Sequence, residues 1–396
     1  MDQLTRREML AASASVAAGL AASGCSQNGK PVAMFTQAAS PVKATPVPLG
    51  PDEPLKVGFI GIGGRGRGLL DAFLKLPNQQ VVALCDINKE NLDKAAAMVE
   101  KAQGKAPQTF GKDADDFKNL LDRKDIHAIV TATPCFEHPR IMLATIAAGK
   151  HIYGEKPLAL TVADADACLA AAEANKDLVV QVGFQWMASP RFQECIERIR
   201  RGDIGRLVEG RFFRHNGSSP LIGWFSDRAK SGDWMLEQAC HEYNIMNWVA
   251  GTTPIKAYGM GWSNLYQDVD PGRNVTDYYA AIIEYPDNFI VHYAHGWISP
   301  DGFREFAQKA IGTKGAVELG GDRISRSDGQ QIEPLKSPKG DDTAFALKAF
   351  VDSIRDGKPA VAPVSYGRNA TLLALMVRKA VYERREVTWK EMLRTC

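Results

Sequence analysis

Leu55-Lys56-Val57-Gly58-Phe59-Ile60-Gly61-Ile62-Gly63-Gly64-Arg65-Gly66-Arg67-Gly68 runs a short apolar segment straight into a glycine-rich turn. A brief apolar run ending at a glycine turn reads as a buried parallel strand. Gly61, Gly63 and Gly66 fit G-x-G-x-x-G: the first glycine permits the tight turn, the second lets backbone approach a pyrophosphate, and the third lets the next helix pack on the strand. The start of that helix offers unpaired N–H groups to phosphate. A glycine turn alone is common. Here the next strand, Gln80-Val81-Val82-Ala83-Leu84-Cys85, ends in Asp86, 20 residues past Gly66, where an acid would bind the ribose hydroxyls of an adenine dinucleotide. The expected site therefore holds Gly61, Gly63, Gly64, Arg65, Gly66 and Asp86. A carboxylate at that place repels a 2′-phosphate, so NAD is favoured over NADP, with Arg65 and Arg67 as the counterweight.

Outward from this unit, Asp125 to Thr133 reads as another strand, and a helix follows from about His138 to Ala148, closed by Gly149. His151-Ile152-Tyr153-Gly154 then delivers Glu155-Lys156-Pro157. Strands alternating with helices imply a doubly wound parallel sheet with ligands at the carboxyl ends of its strands. The chain has 396 residues, which suggests two domains, taken as 55–175 and 176–396. Lys plus Arg number 48 against 46 Asp plus Glu, too balanced for a nucleic-acid binder. The seven cysteines show neither a CxxC pair nor metal-like spacing with histidine, so no metal site is expected.

Thr5-Arg6-Arg7-Glu8-Met9-Leu10 followed by an alanine-rich stretch reads as a twin-arginine export signal over residues 1–25. Met9 to Gly24 is 16 residues, short of the roughly 20 that span a bilayer. Ala22-Ser23-Gly24-Cys25 resembles a lipoprotein box, with Cys25 as the acylated residue. Residues 26–54 carry six prolines and no periodic apolar face, which reads as a flexible spacer. The expected location is the periplasm or the cell envelope, with membrane contact only through a lipid on Cys25.

The glycine turn, Thr133-Pro134 with His138, and Gly149-Lys150-His151 leading into Glu155-Lys156-Pro157 together resemble the Gfo/Idh/MocA oxidoreductases. Gly183-Phe184-Gln185 with Pro190, Asp203-Ile204-Gly205, and Glu237 with His241 extend the likeness over residues 55 to 390. The resemblance implies a Rossmann domain, a C-terminal α/β domain on an open, mostly antiparallel sheet, and a sugar-like substrate between that sheet and the nicotinamide. It adds Thr133, Pro134, His138, Glu155 and Lys156 to the cofactor site and names Lys156, Glu237 and His241 as catalytic. Relatives often have aspartate at the positions of Glu237 and Asn244, and arginine near Trp186-Met187. It also implies association into a homo-oligomer.

Hydride transfer from a secondary alcohol needs a base for the hydroxyl proton. The expectation is His241 as base, oriented by Glu237 four residues earlier on one helix face, with Lys156 fixing or relaying the proton. Trp186 and Met187 are expected to stack on a sugar ring or to pack in the core. Arg214, His215 and Asn216, and Tyr293, His295 and Trp297 on one strand face, are further pocket candidates, with His292 pointing away. An exported enzyme short of free NAD would keep its cofactor bound through the cycle. That leaves coupled oxidation and reduction of sugars, or a redox-neutral glycosidase that oxidises, eliminates, hydrates and reduces. The resemblance implies that such glycosidases often lack the lysine of Glu-Lys-Pro, so Lys156 favours the oxidoreductase. A non-catalytic sugar-binding surface protein is the third reading, and it leaves Lys156, Glu237 and His241 without a task.

Overall fold

The computed structural model describes residues 43–218 and 221–394. The export signal, Cys25 and most of the spacer lie outside the described residues. Strand β1 (Leu55–Ile60) pairs in parallel with β2 (Gln79–Cys85) on one side and β4 (Ala128–Thr131) on the other. β3 (Gln108–Phe110) extends the sheet beyond β2, and β5 (His151–Gly154) and β6 (Val180–Val182) extend it beyond β4, giving the order β3-β2-β1-β4-β5-β6. Parallel neighbours require crossover connections, which most of the intervening segments supply as helices, and the order reverses between β1 and β4. A ligand crevice is expected at that reversal. β6 lies past residue 175, so the first domain closes later than expected: the apolar run at Leu178–Val182 completes the sheet edge instead of opening the next domain.

The second sheet has the order β13-β12-β11-β7-β10-β9-β8-β14. Its strands are β7 (Leu207–Gly217), β8 (Lys256–Ser263), β9 (Thr276–Glu284), β10 (Ile290–Ser299), β11 (Glu305–Gly312), β12 (Gly315–Glu318), β13 (Ile324–Arg326) and β14 (Val387–Thr388). β7 and β10 are parallel and all other neighbours antiparallel. On β10 Val291, Tyr293 and His295 are buried and His292 is exposed, with the small residues Ala294 and Gly296 buried as well. The opposite face of the sheet exposes Tyr258, Met260, Trp262 and Ile282.

The helix Val364–Glu383 buries Leu372, Leu373, Met376 and Val377 in a cluster that contains Val180 and Val182 of the first sheet and Tyr279 and Val291 of the second. One apolar core therefore joins the two domains and fixes the walls of the space between them. The helix Asp342–Asp356 returns to the first domain, where Leu347 and Phe350 pack with Phe59, Phe73 and Tyr153. From Ala44 onward the spacer is bound to the body, a departure from the flexible run expected up to Pro54. Ala44 N–H donates to Asn175 Oδ1 at 2.7 Å, Val47 N–H donates to Gly149 O at 3.0 Å, and Arg355 donates to Glu53 O at 2.8 Å. Proline-rich chain without its own ladder thus meets its hydrogen-bonding needs on the first domain. Among the described residues, no helix is long and apolar enough to cross a membrane.

Candidate active site

A cleft of about 990 Å³ opens at the strand-order reversal. Gly61, Gly63, Gly64, Arg65, Asp86, Thr133, Pro134, His138, Glu155, Lys156, Glu237 and His241 all line it. Gly66 alone of the expected set lies behind the wall, and its role is packing: a Cβ there would sit 2.1 Å from Gly61 O. Gly61 has φ +78, and a Cβ on it would meet Thr133 N at 2.8 Å. Gly63 and Gly64 would meet nothing within 4 Å, so their backbone faces open space. The helix Gly64–Phe73 begins there with no side-chain cap. Asp86 Oδ2 accepts Ile62 N–H at 2.6 Å and Oδ1 accepts Asn88 N–H at 2.8 Å, which turns the carboxylate toward the glycine loop. Close packing beneath the loop, an open face above it, an uncapped helix start and a fixed acid together fit a dinucleotide.

The two arginines of the loop diverge. Arg67 donates to Asn91 Oδ1 at 2.7 Å, near the Asp86 end of the cleft. Arg65 Nε donates to Glu155 Oε1 at 2.7 Å and Nη1 to Thr343 Oγ1 at 3.1 Å, at the other end. His138 is a tie between loops: Nδ1 meets Pro157 O at 2.7 Å and Nε2 meets Thr133 O at 2.9 Å. It holds the Thr133-Pro134 turn against Glu155-Lys156-Pro157.

Lys156 Nζ donates to the backbone O of Glu237 and lies 3.2 Å from Glu237 Oε1, with both side chains largely buried. Burial, the largest single influence, pulls the Lys156 ammonium down, but the surrounding groups, Glu237 first among them, together outweigh it and the net direction is upward. Of the two roles expected of Lys156, fixing or relaying the proton, a lysine held as ammonium suits the first. The expected role of Glu237 is corrected. Its carboxylate pairs with Lys156 and no hydrogen bond joins it to His241. The reason is local: the turn Trp234–Glu237 ends at Gln238-Ala239, and a new helix, Cys240–Ala250, starts before His241, so the four-residue spacing is not carried on one helix.

His241 Nδ1 is buried with no hydrogen-bond partner. The imidazole is held by rings instead, with Trp186 at 5.0 Å and Phe184 at 6.0 Å between centroids. Burial first, then the cations Lys156, Arg214 and Arg65, hold its pKa well below the ordinary histidine value. The ring is thus neutral in the ordinary range and able to accept a proton. Trp186 and Met187 divide the two expectations: Met187 is buried in the core, whereas Trp186 is half-buried against His241 and 5.9 Å from the exposed ring of Phe306.

Of the second-domain candidates, Arg214 reaches this side of the site. Its Nε donates to the fully buried Glu242 at 2.8 Å, and its guanidinium lies 4.9 Å over Phe306. Asn216 donates to Gln238 Oε1 at 3.1 Å, which also meets His295 Nε2 at 2.6 Å, so these residues brace the break before His241. Tyr293 and His295 are interior, and Trp297 packs on Trp234 at 5.1 Å, so the expected sugar-binding face is part of the core. His215 faces the other side of the sheet, beside Glu305. Sequence reading missed Glu242, Gln185, Trp224 and Phe225, the last three of which line the cleft. Glu242 had a signal, a carboxylate inside an otherwise mostly uncharged helix. Among the described residues no cluster suited to a metal ion is present.

A parallel dinucleotide sheet, a second open sheet and a lysine–acid–histidine cleft at their junction define the fold class of the nicotinamide-binding oxidoreductases. The description "Oxidoreductase family, NAD-binding Rossmann fold" matches residues 55–184, and "GFO/IDH/MocA C-terminal domain" matches residues 192–318. The chain belongs to the Gfo/Idh/MocA oxidoreductases. It is 34% identical over 161 residues to a glycosyl hydrolase family 109 protein of Saccharopolyspora erythraea, covering 41% of this chain and 35% of that one. A protein of the same description from Solibacter usitatus is 29% identical over 283 residues, 69% of this chain and 57% of the relative. The match thus spans well under two thirds of these relatives. In fold, the chain is similar to scyllo-inositol dehydrogenase of Lactobacillus casei, solved with NAD(H) and scyllo-inositol, at TM-score 0.71 and 20% identity over 85% of this chain and 100% of that one.

Proposed function

We propose that the protein oxidises a secondary hydroxyl of a sugar, polyol or glycoside using a nicotinamide dinucleotide held in the cleft. The observation that carries this is the convergence of protonated Lys156 and neutral His241 on the cleft that Gly63, Gly64 and Asp86 line further along. When bound, the nicotinamide supplies the hydride acceptor. His241 takes the hydroxyl proton. Lys156, fixed by the side chain and backbone of Glu237, donates to the same oxygen and stabilises the negative charge that develops there. Trp186, stacked on Phe192 and packed on His241, places an aromatic group beside the base, where the ring of the substrate would lie. Asp86 supports NAD over NADP, since a carboxylate beside the ribose disfavours a 2′-phosphate.

A second reading is favoured by the relatives described as glycosyl hydrolase family 109 proteins. The same first oxidation would acidify the neighbouring C–H, allow elimination of the glycosidic substituent, and end with hydration and reduction. One experiment separates the readings: an aryl glycoside and a panel of free sugars are incubated with the NAD-loaded protein. NADH accumulation with the sugars supports the dehydrogenase. Aglycone release without net NADH supports the glycosidase. Neither product overturns both and leaves a sugar-binding protein, and products unchanged in His241→Gln overturn His241 as the base.

Three further parts of the proposal rest on sequence. Residues 1–25 export the folded chain, Cys25 carries the lipid, and the cofactor stays non-covalently bound through the cycle. Association through the open sheet, with its exposed Tyr258, Met260 and Trp262, would complete the picture. Mass spectrometry of protein from its native envelope would read the acylated N-terminus and the retained dinucleotide together.

A further inference from the structure

Asp233 has a backbone conformation that side chains rarely adopt, φ 74 with ψ 170, and it is fully buried. Its carboxylate is gripped from four directions. Oδ1 accepts Trp234 N–H at 2.6 Å and the Thr276 hydroxyl at 2.8 Å. Oδ2 accepts Thr276 N–H at 3.1 Å and the Tyr382 hydroxyl at 2.5 Å. Thr276 belongs to β9 and Tyr382 to the helix Val364–Glu383, so two separate elements hold one side chain. Arg378 adds a bond from the same helix to Gly232 O at 3.0 Å.

The backbone of Asp233 passes this anchorage on. Its carbonyl accepts Glu237 N–H at 2.9 Å, and the carbonyl of Glu237 is the one that receives Lys156 Nζ. The turn is only four residues long and ends at a break, so no long helix fixes it from the far side. We infer that Asp233 is a positioning residue, acting through Glu237 to hold the Lys156 ammonium in place. The inference rests on the proposed role of Lys156, and it makes the enzyme depend on a carboxylate that never touches substrate. Glycine would meet the backbone requirement at this position without strain. The aspartate is therefore there for its four hydrogen bonds, which glycine cannot make.

The test uses full-length protein with Asp233→Gly, Asp233→Asn and Tyr382→Phe. Asp233→Gly keeps the backbone free and removes the anchor. Asp233→Asn keeps one acceptor oxygen, and Tyr382→Phe removes one donor from a partly exposed side chain should the first variant not fold. Two readouts are taken. The first is kcat/KM, expected to fall roughly ten- to a hundredfold in Asp233→Gly, as for a reacting group displaced by about an ångström, with partial recovery in Asp233→Asn. The second needs no turnover: the acylation rate of Lys156 at fixed alkaline pH, mapped by mass spectrometry. A looser pairing with Glu237 lowers the lysine pKa, and each unit raises the reactive amine about tenfold. Faster acylation in Asp233→Gly or Tyr382→Phe supports the inference. Acylation identical to wild type in the folded variants overturns it, whatever happens to their melting temperatures. Wild-type protein with no dinucleotide-dependent turnover would sink the proposed function and leave the acylation result to judge Asp233.

Discussion

Replacing Asp86 by asparagine tests the dinucleotide site with almost no change of shape. A carboxylate has about four acceptor positions, and two here are taken by the N–H groups of Ile62 and Asn88. The remaining capacity matches the two hydroxyls of an adenosine ribose. A hydrogen bond to a charged group contributes about 1.5 to 3 kcal/mol. Asparagine can still accept, with one oxygen and no charge, so the loss expected is about one such bond. That corresponds to roughly a ten- to hundredfold rise in the Kd of NADH. NADPH should move the other way or not at all, because the carboxylate that repels its 2′-phosphate is gone. Fluorescence titration of both nucleotides against wild type and Asp86→Asn reads the ratio directly. An unchanged ratio, or a wild type that prefers NADPH, would refute the placing of the ribose at Asp86. A loss of both affinities with a lowered melting temperature would show instead that the carboxylate matters only as a brace for the loop.

Gly66→Ala places a methyl 2.1 Å from the backbone oxygen of Gly61, and neither atom belongs to a flexible side chain. It should cost about 1 to 3 kcal/mol in chemical denaturation and abolish measurable NADH binding. Trp186→Leu removes the ring that packs on His241 at 5.0 Å. The KM for the sugar should rise about tenfold, with the Kd of NADH unchanged, as expected for the loss of about 1.4 kcal/mol of stacking. The imidazoles of His127, His138, His151, His241 and His295 all have folded pKa values pushed down, first by burial, His151 to about 4. Unfolding lets them take protons near their ordinary value of about 6.5, so stability should hold above that pH and fall as acid is added below it. Urea denaturation from pH 7.5 to pH 5 checks the direction, and a stability that rises on acidification would contradict it.

Much of the first domain was legible because its signals are local. The glycines at 61, 63 and 66 and the acid at 86 are read within one strand-turn-helix-strand unit, and in the structure Gly61 takes the positive φ, Gly66 packs against it, Gly63 faces open space and Asp86 turns toward the loop. Strand alternation on β10 was legible for the same reason. Whether Tyr293 and His295 face a pocket or a packed core was not, because that depends on the helices laid over the sheet. The partner of Glu237 was hidden by two residues. Gln238 and Ala239 break the helix, and a period-based argument carries no information across a break. Nor could the sequence place Asp342–Asp356 on the first domain: its apolar face fits any complementary surface, and only the three-dimensional path selects Phe59, Phe73 and Tyr153.

The low pKa of His241 raises a question of strength, since a weak base removes a proton from an alcohol slowly. The same cations answer it. Lys156 and Arg214 repel the imidazolium and by the same positive charge attract an alkoxide on the substrate, so what the histidine loses in basicity the hydroxyl gains in acidity. Each cation is itself paired with a buried carboxylate, Lys156 with Glu237 and Arg214 with Glu242, which keeps it charged. Removing Lys156 should therefore do two opposite things. Made as Lys156→Met with Glu237→Gln, so that no buried carboxylate is left unpaired, the variant should have a histidine that protonates more readily and a reaction that runs slower. The rise in the His241 pKa should be partial, because burial is the larger cause of its depression. The rate should fall by roughly a hundred- to ten-thousandfold, since the hydroxyl has lost the charge that acidified it. NMR titration of the imidazole and the pH profile of kcat/KM measure the two effects separately. If the histidine titrates unchanged while the rate falls, Lys156 acts on the substrate alone. A rate that survives the loss of the ammonium would mean that this cleft does not use it for chemistry.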